Sequence, residues 1–215
     1  MSEDVKRRYN STRRRQQAEE TRSRVLDAAA EVFRERGYER SSIAAIAESA
    51  GVSDETVYGH FKNKRTLLAE LVRHAVRGSD DRPVLDQSGP HRLTTETDQR
   101  RQVQLFATDV AGRLERAAPL VAVVAAAAAG EPELNELLKR LHEARRKNLR
   151  VFEAALRANG PLRLSSTAAT DAVWALTSPE LFQLFTVVRS WSNRRYTTWL
   201  AESLETMLLA PSAAG

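Results

Sequence analysis

The chain of 215 residues contains no cysteine. That excludes a disulfide scaffold, a Cys-ligated zinc site, an iron–sulfur cluster and a cysteine nucleophile. Aromatic residues make up only 6% of it, and no Val/Ile/Thr-rich alternating run is present, which argues against an all-β fold. No long hydrophobic run exists either. The longest, residues 119–130, is mostly alanine and far short of the ~20 residues a membrane span needs. The start, Met1-Ser2-Glu3-Asp4-Val5-Lys6, is polar and predicts no signal peptide. The four histidines, His60, His74, His91 and His142, show no metal-ligand spacing. There is no serine elbow motif and no glycine-rich phosphate loop, so the expectation is a non-enzyme without catalytic residues, bound metal or cofactor. What remains is a soluble, cytoplasmic, all-α protein, long enough for one or two domains.

The net charge is +5, and its placement matters more than its size. Residues 1–78 carry an excess of four positive charges and residues 79–215 an excess of one. Residues 1–17 alone hold six basic and two acidic side chains, in the runs Lys6-Arg7-Arg8 and Arg13-Arg14-Arg15. A basic flexible arm ahead of a folded domain suits a polyanion, and equally a solvated tail.

Helical periodicity organises the rest. Val25, Ala29, Val32 and Phe33 share one face of a first helix over residues 18–36, closed by Gly37. Ser41 or Ser42 caps a short second helix with Ile43, Ile46, Ala47 and Ala50 on one face. Ser53 caps a third, with Asp54 and Glu55 in its first turn. A fourth begins near Lys64, turns Leu67, Leu68, Leu71, Val72 and Ala75 inward, and ends near Gly78. Residues 79–92 are rich in Ser, Asp, Pro and Gly and read as a linker or mobile loop. Amphipathic segments follow over residues 93–116, 119–129, 133–158 and 166–177. Another begins at Ser178-Pro179-Glu180, and a last one covers residues 193–209. The expected total is nine or ten helices, with 93–210 as a second domain and 211–215 as a tail.

Residues 42–61 are the most informative. Two short helices crossing steeply need a small residue at the crossing, a glycine for the tight turn and a branched apolar residue to pin the second helix. Ala47, Gly51 and Val57 supply these at a spacing characteristic of a DNA-binding helix-turn-helix.

The run Gly51-Val52-Ser53-Asp54-Glu55-Thr56-Val57-Tyr58-Gly59-His60-Phe61, continuing through Lys64 to Leu68, resembles the signature of the TetR family of transcriptional regulators. The stretch from Ala29 to Tyr38 is similar to that family's first helix, and the stretch from Ser41 to Ala47 to its second. The resemblance covers residues 18–78; beyond them only architecture is shared. It implies a helix-turn-helix domain joined by a connecting helix to a larger helical ligand-binding and dimerisation domain. It also implies a regulator, either a repressor released from a palindromic operator by a small molecule or an activator or ligand-independent regulator.

The resemblance further implies site residues. Residues 54–60 become the recognition helix, with Asp54, Glu55, Thr56, Gly59 and His60 as candidate base readers. Thr56 can meet a thymine methyl, and Glu55 can accept from cytosine N4. Two acids near phosphates repel them, so one is expected to serve only the helix dipole. Gly59 suggests close approach to the duplex. Tyr58, Ser42 and Lys64 match phosphate contacts. Ala44 departs from the family, where a polar reader is common, and Arg13, Arg14 and Arg15 can compensate from the minor groove.

In the second domain, Leu181 and Leu184 on one stripe and Trp199, Leu200, Leu204 and Leu208 on another are the candidate homodimer interface. Arg145 is a candidate for a ligand's anionic group, and Phe106, Phe152, Trp174 and Phe182 for an apolar pocket wall. The same residues can equally serve the chain's own core. The implied partners are double-stranded DNA, a second copy and an unknown small-molecule effector, with no membrane.

Overall fold

The computed structural model describes residues 3–80 and 82–210, with side chains from Arg13 onward. The side chains of Lys6, Arg7 and Arg8 and the tail 211–215 lie outside the described residues. The chain is helical, and its only β pairing among the described residues is an isolated bridge between Leu162 and Leu209. None of the described helices is long and apolar enough to cross a membrane. The chain divides into two compact units, residues 1–71 and 72–215.

The first unit holds α1 (Glu3–Arg36), α2 (Ile43–Ala50), α3 (Asp54–His60) and the first half of α4 (Lys64–Arg77). The α1 helix starts at Glu3, not near residue 18, so the basic stretch is helical and not an irregular arm. Arg15 and Glu19, 3.6 Å apart one turn on, support that helix only weakly, since both are exposed. The core is Val25, Leu26, Ala29, Phe33, Ile46, Val57, Phe61, Leu67 and Leu68, all at most 1% exposed. Each such aliphatic or aromatic side chain contributes roughly 1.5–3 kcal/mol. Ser42, not Ser41, caps α2: its Oγ accepts from the Ala45 N–H. Ser41 is buried and donates to Gly37 O at 2.6 Å, closing the α1–α2 turn. Gly51 has φ +65°, which a residue with a Cβ rarely adopts, and this turn sets the α2–α3 crossing. Arg22 on α1 bonds Glu70 on α4 at 2.9 Å and lies over the Phe61 ring.

The second unit holds the rest of α4, then α5 (Ser88–Thr95), α6 (Gln99–Ala128), α7 (Pro132–Ala158), α8 (Ser166–Leu176), α9 (Pro179–Gln183) and α10 (Asn193–Leu208). Residues 79–92 are more ordered than their composition suggests. They contain a 3-10 turn at Val84–Asp86 and the first turns of α5, with Pro90 and Leu93 buried. Gln87 organises this segment. It is 5% exposed, and its Nε2 donates to the carbonyls of Arg77, Asp80 and Arg82. Its Oε1 accepts from Arg113, which also donates to Val76 O at 2.8 Å and forms a two-pronged pair with Asp109. Arg116 donates to Ala75 O at 3.0 Å. The last turn of α4 is therefore held by three side chains, two of them on α6.

The segments expected as separate helices on either side of Pro119 are one helix, α6. Proline removes one hydrogen bond, at a cost of about 3 kcal/mol in a helix interior. Ala117, Ala118, Leu120 and Val121 are all buried around it, and that packing outweighs the lost bond. The unit's core joins α6, α7, α8 and α10 through Val103, Phe106, Leu149, Phe152, Val173, Tyr196, Leu200 and Leu204.

After α9 the chain widens into a π turn at Leu184–Val188, which closes with Trp191 N–H donating to Phe185 O and Ser190 at φ +53°. A π turn takes one residue more than an α turn, so the outward face shifts. Phe182 points inward at 5% exposure, while Val187 and Val188 are each 70% exposed.

Candidate nucleic-acid interface

The α3 helix is anchored by one residue, Val57, fully buried. Its other side is open. Glu55, Tyr58 and Gly59 are exposed, and Asp54, Thr56 and His60 are half-buried. Tyr58 projects a phenol at 52% exposure, a large aromatic with no core to fill. A Cβ added at Gly59 would meet nothing within 4 Å, so the chain's own packing does not require glycine there.

The Glu55 carboxyl is held below its usual value, first by a backbone N–H of its own turn and then by the Ser53 hydroxyl. It faces the N-terminus of its own helix, the position in which an acid serves the dipole. Thr56 shares a 3.1 Å hydrogen bond with Ser53, the N-cap.

Ser42 is exposed, and its cap bond uses the oxygen as acceptor. That bond does not use the hydroxyl proton, so Ser42 can donate to a phosphate while still capping α2. Lys64 is placed differently from the expectation. Its Nζ turns into the unit, donates to Tyr38 O at 2.9 Å and Ser41 O at 3.0 Å, and sits 4.0 Å from the centre of the Tyr38 ring. Two of its three N–H groups hold the turn that presents Ser42. Arg13, Arg14 and Arg15 are exposed on α1.

Residues 25–71 match the family described as bacterial regulatory proteins, tetR family. The first unit is a TetR-family domain. Among curated proteins, the probable HTH-type transcriptional regulator ArpR of Pseudomonas putida is 37% identical over 84 residues. That match covers 36% of this chain and 40% of ArpR. TtgR, an HTH-type transcriptional regulator also from Pseudomonas putida, is 36% identical over the same length, 36% of this chain and 40% of TtgR. The chain thus spans about 40% of the length of these two curated relatives, and the likeness centres on the TetR-type domain. Solved structures extend it to the architecture of the whole chain. NalD, the secondary repressor of the MexAB-OprM multidrug efflux pump in Pseudomonas aeruginosa, has a TM-score of 0.65 at 25% identity. It is covered over 98% of its length by 90% of this chain. FadR from Bacillus subtilis, crystallised with stearoyl-CoA, has a TM-score of 0.62 at 18% identity, over 85% of this chain and 96% of FadR. The fold is therefore that of TetR-type regulators: an N-terminal helix-turn-helix followed by a larger helical unit.

The second unit sorts the remaining candidates. Phe106 and Phe152 stack at 3.8 Å between ring centres and, with Phe182, are buried in the unit's core. Leu200, Leu204 and Leu208 are fully buried in the chain's own core and are unavailable to a second copy. The apolar stripe of α10 is wide because it fills that core. Leu181 and Trp199 are half-buried, Trp199 against Phe185 and Trp191. The exposed apolar side chains nearby are Leu184, Val187 and Val188, with Met207 on α10. Periodicity passed over Val187, because only the π turn brings it outward.

Proposed function

We propose that this chain is a homodimeric, sequence-specific DNA-binding regulator, and a repressor whose hold on a palindromic operator is released by a small molecule. The observation that carries it is α3: a short helix pinned by Val57, with Thr56, Tyr58, Gly59 and His60 on an open face, inside a tetR-family match. In this reading α3 enters the major groove, Tyr58 and Ser42 bond phosphates, and base reading falls to Thr56 and His60, with Asp54 beside them. Glu55 serves the helix terminus. Arg13, Arg14 and Arg15 supply general attraction to the backbone. Two copies are needed to set two α3 helices about 34–36 Å apart for successive major grooves. NalD, described as a repressor, and FadR, crystallised with an acyl-CoA, support repression and effector binding.

Selection from a random duplex pool tests the reading. The expected result is an inverted repeat, bound with steep salt dependence. Recovery of no preferred sequence overturns it. Replacing Tyr58 by phenylalanine is expected to weaken every duplex alike, whereas loss at one base pair only would give Tyr58 a reading role.

Gly59→Ala separates folding from binding. Alanine in place of a helix-interior glycine stabilises by up to about 1 kcal/mol, and space for the methyl is present. The variant is expected to melt higher yet bind the selected duplex more weakly, because the methyl lies where the duplex approaches. Equal or tighter binding removes α3 from close contact.

A further inference from the structure

The second unit contains a buried guanidinium edge with three of the five N–H donors of Arg145 unused. Arg145 lies on α7, and its Nη1 donates to Trp174 O at 2.7 Å and Thr177 Oγ1 at 3.1 Å. These bonds fix the guanidinium plane 4.8 Å from the centre of the Trp174 ring. Its Nε and Nη2 are buried with no hydrogen-bond partner, and so is Trp174 Nε1. These three atoms are the only buried side-chain nitrogens or oxygens among the described residues that lack a partner. No described carboxylate forms an ion pair with Arg145, although Asp, Glu and Arg pair freely elsewhere in the unit. Burial pulls the Arg145 guanidinium down to about 10, so it still carries its charge near neutrality.

Buried donors without acceptors each cost free energy, and native structures rarely leave them so. The arrangement is specific. Nε and Nη2 form one edge of the guanidinium, the edge that grips a carboxylate with two parallel hydrogen bonds. The third open donor is the indole N–H of the ring packed against that same guanidinium. All three offer hydrogen and none offers a lone pair, so the complementary group is an anion with several acceptor oxygens. A quaternary ammonium is repelled. One and two turns before Arg145 on the same face of α7, Leu141 and Leu138 are only half-buried, and the His142 ring meets Trp174 edge-on at 5.8 Å. These surroundings are apolar and aromatic.

We propose that Arg145 and Trp174 bind the carboxylate of a small organic acid with an apolar body, two oxygens meeting Nε and Nη2 and one of them also accepting from the indole. This deepens the effector reading above and rests on it only for the consequence at DNA; the binding itself is independent of DNA.

The test uses the full chain, with decanoate and phenylacetate as probes and decanol, 2-phenylethanol and choline as controls. Calorimetry and thermal melting are the readouts. At least one acid is expected to bind saturably and, at a hundredfold excess over its dissociation constant, to raise the melting temperature by about 5–10 °C. The alcohols and choline are expected to do neither. Arg145→Met keeps the stem and removes the unsatisfied charge. It also removes the donor to Trp174 O and Thr177 Oγ1, so it is expected to melt somewhat lower while keeping its helical circular dichroism, and to bind the acid at least about a hundredfold more weakly. Trp174→Phe is expected to lose about tenfold through the missing N–H. A folded Arg145→Met chain that binds the acid as tightly as the wild type makes the arginine a structural strut only and overturns the proposal. So does acid binding that survives both substitutions, or a wild-type chain that ignores both acids. Binding that leaves affinity for the selected duplex unchanged keeps the site and overturns release. A sequence-specific binder that takes up no acid does the reverse.

Discussion

With Val187→Asp and Val188→Asp together, the chain is expected to sediment as a monomer and to bind its selected duplex about 10²–10⁴-fold more weakly. Both valines are 70% exposed, and Leu184 and Met207 add apolar area at 54% and 41%. Four large apolar side chains on the outside of a unit whose core is already closed call for a cover. In the proposed dimer a second copy supplies it, since a two-fold pair is what the proposed inverted repeat requires. Neither valine contributes to its own chain's core, so circular dichroism and melting of the separated monomer are expected to stay near normal. Only the avidity of two linked reading heads is lost. A variant that remains dimeric at micromolar concentration moves the interface elsewhere, and a wild-type chain that is itself monomeric removes it.

Lys64→Met is expected to destabilise the first unit by about 2–4 kcal/mol, and to do so without changing the salt dependence of DNA binding by the folded fraction. The ammonium serves two carbonyls and an aromatic face inside the unit. Removing it takes the ammonium donor from Ser41 O and leaves Tyr38 O with only the Ser41 N–H. Methionine keeps most of the stem's packing, so the loss reports the polar end. Urea unfolding gives the stability, and the slope of log affinity against log salt gives the phosphate count. A slope lower by about one, with stability unchanged, would instead make Lys64 a direct phosphate contact.

That contrast shows which parts of the molecule were legible beforehand. The helix-turn-helix was readable because its determinants are local. Gly51 must turn, Ser42 and Ser53 must cap, and Ile43, Ile46 and Val57 have one side to bury. Whether a lysine at the start of α4 points in or out depends on carbonyls 23 and 26 residues earlier, which no local pattern reports. The same limit applied to the second unit. The α10 stripe was visible, but a stripe does not say whether it faces its own chain or another. Val187 escaped because a π turn shifts the helical phase without a marker residue. Pro119 suggested a break that surrounding packing overrode. The polar look of residues 79–92 hid Gln87, whose amide ties three carbonyls together. Arg145 stood out on its stripe; that three of its five N–H donors lack partners emerged only in three dimensions.

The grip on the end of α4 gives the helix a threshold. Arg113, Arg116 and Gln87 hold the carbonyls of Val76, Ala75 and Arg77, the last turn of the helix that begins at Lys64. Three such bonds, two from charged donors, amount to about 3–5 kcal/mol if all are lost together. Freeing the helix end means giving up all three of these bonds. A small molecule that unseats it must favour the released form by roughly 10²–10⁴ in affinity, and one that binds tightly without that preference leaves the grip in place.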